Sequence, residues 1–414
     1  MSENLPTMKH RNRLLIALLV AALWPGVANW SVKTEENWQP GALFAGVGRA
    51  NVYRGEYRVF SPDGGSKDTL DNPFAIKKTT TTGCFVASPG SPSQAMYATG
   101  FASLDVTRFD AAPPHEAQTV ASVNYPGVEA VESIAFDASG NYYLGTLPAP
   151  RKSALDPIPP YAYILKYSPA NVLLAAYQVP SGMRGANWID LGPDQQTLYY
   201  TSEDTTIHIY RPGTWPTYRE LEITDGGAPI AGTVYGIRLL PPMPDDPMTP
   251  SGFVVASSKG LMRLDNNGRV RLRYNGPISG NASTFAVNIT PDGQSVWTTT
   301  FEDNVAGKRV TIAGDLVRFH IPTGAVTAGP ISTSAPNVWG LCVNGEYTAA
   351  ANVCYVTDTA GNAVLDPITG QPQRMPCRVP EYCDNGTDDD GDGLGDAADP
   401  DCAVPPSNTR PEIR

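Results

Sequence analysis

Short apolar runs, separated by polar turns, recur along most of the chain. A strand, a turn and a second strand are read in AIKKTTTTGCFVAS, IAFDASGNYYLGT, IDLGPDQQTLYYTS, IRLLPPMPDDPMTPSGFVVAS, VNITPDGQSVWTTT and LCVNGEYTAAANVCYVTD. Each is followed by a third strand ending on an apolar residue: LDVTRFD, YILKYS, TIHIYR, GLMRLD, DLVRFH and NAVLDP. The last apolar positions, Phe109, Tyr167, Tyr210, Leu264, Phe319 and Leu365, lie 58, 43, 54, 55 and 46 residues apart. No long window past residue 28 carries the 3.6-residue period of an amphipathic helix, so the chain is predicted to be all-β. Units of this length, each a small antiparallel sheet, predict a β-propeller. One such sheet leaves both faces wet, whereas a closed ring of them covers every face.

Six units account for residues 70 to about 370, and the leading segment ALFAGVGRANVYRGEYRVFSPDG, residues 42–64, reads as two further strands. These either supply the outer strand of the last blade and close the ring, or belong to a seventh blade. A six-bladed propeller is the reading adopted and a seven-bladed one the alternative. The predicted organisation is a signal peptide (1–28), a linker (29–41), the propeller (42–376), an aspartate-rich motif (377–402) and a disordered tail (403–414).

Composition adds the compartment. Lys9, His10, Arg11 and Arg13 precede an apolar run from Leu14 to Trp24 and the small residues Gly26, Val27 and Ala28. That is the order of a secretory signal peptide, and the apolar run is shorter than the ~20 residues a spanning helix needs. A secreted or periplasmic protein without stable membrane insertion is expected. Removing residues 1–28 leaves 27 basic against 40 acidic residues, so the net charge moves from -11 to -13. Such a surface repels phosphate backbones, which excludes nucleic acid as an expected partner. Six cysteines in an exported chain without a C-x-x-C pair read as three disulfides. Position along the chain suggests Cys342 with Cys354 across one hairpin, Cys383 with Cys402 around the acidic loop, and Cys84 with Cys377 fastening the two ends of the ring.

The stretch DNGTDDDGDGLGDAADPDC, Asp384 to Cys402, crowds like charges that repel one another unless they are solvated or bind a cation. Counting from Asp388, the residues Asp390, Asp392, Leu394, Asp396 and Asp399 fall at the ligand positions of a calcium loop, Leu394 through its backbone carbonyl, with Gly393 at the sharp turn. Ca²⁺ is the expected ion, at a Kd of ~10⁻⁴ to 10⁻³ M. The string resembles the aspartate-rich calcium repeats of thrombospondin type 3 modules, which implies the same carboxylate ligands; Asp399 stands where an EF-hand has glutamate.

Aligning the first strands on Ile76, Ile134, Ile189, Ile237, Val287 and Leu341 exposes the column two residues earlier: Phe74, Glu132, Asn187, Tyr235, Phe285 and Trp339. In a propeller the innermost strand lines the channel, so this column is expected at one mouth, a ring of aromatics interrupted by a carboxylate and an amide. The next column, Ala75, Ser133, Trp188, Gly236, Ala286 and Gly340, is mostly small, as crowding near an axis requires. The segment ANWIDLGPDQQTLYYTSEDTTIHIY resembles the gluconolactonase and senescence-marker propellers, and NHL-type propellers are equally similar. That resemblance implies a channel metal held by Asn187 and, more loosely, Glu132, with Tyr235 standing where the family has aspartate.

Catalytic signals are few. His208 and His320 fall on third strands, where a packed or edge histidine is expected, and no G-x-S-x-G, H-E-x-x-H or phosphate loop is present. The expected function is a secreted propeller acting as a binding or structural module for an extracellular glycan, peptide or surface protein. The alternative is a metal-dependent lactonase-like hydrolase or lyase using the channel.

Overall fold

In the computed structural model the described residues run from 38 to 350 with short gaps, together with the strands Val353–Tyr355 and Arg374–Pro376. Every regular element among them is a strand. The chain begins with β1 (Leu43–Gly48), β2 (Gly55–Phe60) and β3 (Ser66–Asn72). The next sheet is β4 (Gly83–Val86), β5 (Ala95–Thr99), β6 (Asp105–Asp110) and β7 (Ala117–Ser122), followed by β8 (Val128–Phe136), β9 (Tyr142–Pro148), β10 (Tyr161–Tyr167) and β11 (Leu173–Pro180). The third is β12 (Trp188–Leu191), β13 (Leu198–Thr201), β14 (Thr206–Tyr210) and β15 (Tyr218–Glu222), with the small ladder β16 (Thr224–Asp225) and β17 (Ala228–Pro229) after it.

The fourth sheet joins β18 (Val234–Leu239) to β21 (Phe253–Ser257), β22 (Gly260–Leu264) and β23 (Val270–Tyr274), with the ladder β19 (Pro242–Met243) and β20 (Asp246–Pro250) inserted. The fifth is β24 (Ser283–Ile289), β25 (Ser295–Val305), β27 (Asp315–His320) and β28 (Val326–Ser332), with β26 (Lys308–Thr311) paired to the end of β25. The sixth begins at β29 (Val338–Val343), and its order is β29-β1-β2-β3. The two remaining strands, β30 (Val353–Tyr355) and β31 (Arg374–Pro376), pair with each other. The inner strands touch in the cyclic order β4, β8, β12, β18, β24, β29 and back to β4. The protein is a six-bladed β-propeller.

Burial follows position in the blade. Inner strands are covered along nearly their whole length, as in Trp188–Leu191 and Val234–Leu239, because both faces of a blade meet a neighbour near the axis. Third strands such as Asp105–Asp110 alternate, and outer strands such as Tyr218–Glu222 are largely solvated and carry charges that blunt the free edge. Crowding at the axis explains the small column: a Cβ on Gly236 would lie 2.7 Å from the Phe285 carbonyl oxygen.

Two expectations are corrected. The last blade takes three outer strands, not one, from the N-terminal segment; Leu43 faces Val343, and Phe60 faces Leu43 across the next ladder. Phe60 therefore fills the place expected of Leu365, which lies outside the described residues. Cys342 and Cys354 do not share a hairpin, since the strand of Cys342 pairs with β1 and that of Cys354 with β31. Cys342 is disulfide-bonded, and its partner is not among the residues whose side chains are described. The signal segment, Cys377, Cys383, Cys402 and the whole aspartate-rich motif also lie outside the described residues.

Candidate functional site

Of the six mouth positions, the structure describes five. Phe74 lies outside the described residues, and the inner strand of its blade begins at Gly83, downstream of Ile76, so Phe74 is not part of that strand. Tyr235, Phe285 and Trp339 meet as expected, but they close on one another. Phe285 is 4.9 Å from the Tyr235 ring, 4.9 Å edge-to-face from Trp339 and 5.8 Å from Trp188, and only Trp339 is half-exposed. The aromatic side of the ring is a packed plug with one open face.

The polar side contains two charged residues that the column alignment misses. Glu132 and Asn187 are each 1% exposed. Arg184, in the loop before β12, sends one guanidinium nitrogen to Glu132 at 2.9 Å and the other to Glu203 at 3.0 Å. The Asn187 amide donates to Glu203 at 3.3 Å, and its Oδ1 has no hydrogen-bond partner among the described residues. Glu203 follows β13 at a positive φ of 55°. Arg184 and Glu203 keep 27% and 23% of their side chains exposed, so the triad reaches solvent.

Local structure aims Arg184. The Arg184 and Gly185 amides both donate to Ser202 Oγ, at 3.1 and 3.0 Å, and that hydroxyl in turn donates to the Ser181 carbonyl. Gly185 has φ +121°, and a Cβ there would lie 2.7 Å from the Thr146 carbonyl oxygen. Only glycine lets the loop run this close to the neighbouring blade.

Burial pushes Glu132 up from 4.5 to about 7, against the pull of Arg184. Glu203 is raised by the same cause, again opposed by Arg184. Burial also disfavours the Arg184 charge, but the two carboxylates outweigh it and hold its pKa above the ordinary value. The sign for stability follows from proton binding. Between about 4.5 and 7 the folded state holds a proton on Glu132 that the unfolded chain has released, so this contribution is full below 4.5 and lost as pH rises through 7. Wild-type melting temperature should therefore fall more from pH 5 to 8 than that of Glu132→Gln; parallel profiles would contradict this environment.

A second charged cluster lies three residues further along the inner strands, ~10 Å away at ~3.3 Å per residue. Arg238 donates to Glu346 at 2.6 Å, Asn288 donates to the other oxygen of Glu346 at 2.7 Å, and Asp190 accepts from the Leu239 amide at 2.8 Å. Burial raises Asp190 to about 6, with Arg238 acting in the opposite direction. Asp190, Arg238, Glu346 and Thr348 line a small opening with Ile134 and Ile189. Asn288, which opens an N-x-T glycosylation pattern with Ile289 and Thr290, is buried and cannot accept a glycan in the folded chain. His208 is packed as expected, 2.7 Å from Asp204 and 2.7 Å from the Tyr218 hydroxyl. His320 reaches Thr323 at 2.8 Å.

No family model matches the chain, and no curated protein is significantly similar to it. Among solved structures, a protein of unknown function from Bacteroides caccae is similar at 14% identity and TM-score 0.47, over 73% of this chain and 98% of that one. A structure described as a candidate gluconolactonase is similar at 12% identity and TM-score 0.41, over 64% and 91%. The six-bladed assignment rests on strand order and the cyclic contacts of the inner strands.

The residues implied as metal ligands do not fit a divalent ion as they stand. A guanidinium fills the space between Glu132 and Glu203, and the position where the resembled family has aspartate is an aromatic ring packed on Phe285.

Proposed function

We propose that this chain is a secreted or periplasmic binding module that uses the mouth of the ring to hold a hydroxyl-rich ligand of the glycan class. The observation that carries this reading is the Glu132–Arg184–Glu203 triad with the unpartnered Asn187 Oδ1 beside it. An alternation of acceptor, donor and acceptor matches vicinal hydroxyls, which both donate and accept, and the buried amide oxygen gains a donor when one arrives. Trp339, half-exposed in the same column, offers an aromatic face for a sugar ring. The aspartate-rich segment would bind calcium as a structural element, stabilised by its flanking cysteines.

One observation favours a second reading. A buried carboxyl near pH 7 beside a guanidinium is a poised acid or base, so a metal-free hydrolase or lyase is the rival. A glycan array with and without chelator, together with a lactone panel, separates the two. Glycan binding that survives chelator and is lost in Asn187→Ala is the expected result. Turnover of a lactone that Glu132→Gln abolishes would replace the binding reading with the catalytic one.

A further inference from the structure

We infer that Arg184 is the resident cation of the channel mouth: its guanidinium stands where a divalent ion would stand, and replacing it with an uncharged side chain converts Glu132, Glu203 and Asn187 into a divalent-metal site. The inference concerns the same mouth as the proposed function but holds whether or not a glycan binds there.

Two carboxylates from two blades converge on one cation, Glu132 from β8 and Glu203 after β13, and Asn187, just before β12, joins them through the hydrogen bond its amide donates to Glu203. Each carboxylate takes a separate nitrogen of the planar fork, at 2.9 and 3.0 Å, so the fork sets their separation. A hard divalent ion draws oxygens to ~2.0–2.6 Å and cannot share that space with the fork. The backbone fixes the arginine in place, through the Ser202 hydroxyl under Arg184 and Gly185 and the glycine-only conformation at Gly185. Asn187 Oδ1, buried and without a partner among the described residues, is an independent sign that the cluster has an acceptor to spare. Without the guanidinium, two carboxylates and this amide oxygen give the hard-oxygen set that Mn²⁺ or Ca²⁺ accepts.

Titration of the full chain with Mn²⁺ tests this. The aspartate-rich segment contributes equally to wild type and variants, so the difference between them reports the mouth. Arg184→Met should bind one equivalent more than wild type, and Arg184→Met/Glu203→Gln should lose that equivalent. If Arg184→Met folds only when Mn²⁺ is present, that also supports the inference, and Arg184→Gln then replaces it in the titration. Equal stoichiometry in wild type and a folded Arg184 variant would overturn it. So would loss of an equivalent from wild type on Glu132→Gln, because the ion would then share the mouth with the arginine. Failure of glycan binding alone leaves all of these readouts intact.

Discussion

A chain that begins at residue 73 will show no cooperative unfolding transition and will be recovered mainly as aggregate, while the full chain melts cooperatively. Residues 38–72 supply three of the four strands of one blade, and only its innermost strand, β29, comes from the other end of the chain. Their loss strips β29 of its ladder partner β1 and removes Phe44, Tyr57, Val59 and Leu70 from the cluster they form with Met96, Ala98 and Phe109 of the first blade. Tyr57 and Phe109 meet edge-to-face at 5.8 Å across that junction. Each large apolar side chain returned to water costs ~1.5–3 kcal/mol, and several such losses exceed the ~5–15 kcal/mol by which a domain is stable. Supplying residues 38–72 as a separate peptide during refolding should restore the transition. Cooperative melting of the truncated chain by itself would show that the ring does not depend on this closure.

How far the sequence carries follows from which contacts are local. Four of the six triplets are blades in the structure as read, and in the first the expected second strand, GCFV, is instead the innermost one; Phe109, Tyr167, Tyr210, Leu264 and Phe319 each lie on a third strand, because hairpins write their alternation into adjacent residues. The sixth failed for the opposite reason. The pairing of Leu43 with Val343 leaves no mark on either segment beyond a short apolar run, so the sequence alone points to the nearer run around Val353 as the partner. Alignment on Ile76 failed because AIKK and GCFV are both short apolar runs near one turn, and only the ladder of Gly83–Val86 with Ala95–Thr99 tells which is the strand.

Glu132 and Asn187 were legible as interruptions of an aromatic column on inner strands. Arg184 and Glu203 were not, since loops have no period to align. The available signal was charge in each of two short loops flanking a buried strand pair, Arg184 just before ANWIDL and the Glu203–Asp204 pair just after LYYTS. Trp188, at an otherwise small position, finds its room by packing on Phe285.

The second large effect concerns the triad. Arg184→Met leaves Glu132 1% exposed with its nearest opposite charge removed. Breaking a fully buried ion pair costs ~3–5 kcal/mol, and the partial exposure of Arg184 and Glu203 lowers the expectation here to about 2–3 kcal/mol. Burial then raises Glu132 further, so the loss should be larger at pH 8 than at pH 5. Glu132→Gln should be far milder, because the amide still accepts from the guanidinium and Glu203 still balances its charge.

The most direct test of the account is a double-mutant cycle between residues 132 and 184, read by chemical denaturation at pH 8, with single variants Glu132→Gln and Arg184→Met and their combination. Side chains from neighbouring blades that meet at the mouth should couple by more than ~1 kcal/mol, with the double variant little worse than Glu132→Gln. Additivity within ~0.5 kcal/mol would mean that the two do not meet there, and the arrangement proposed for the mouth would be wrong.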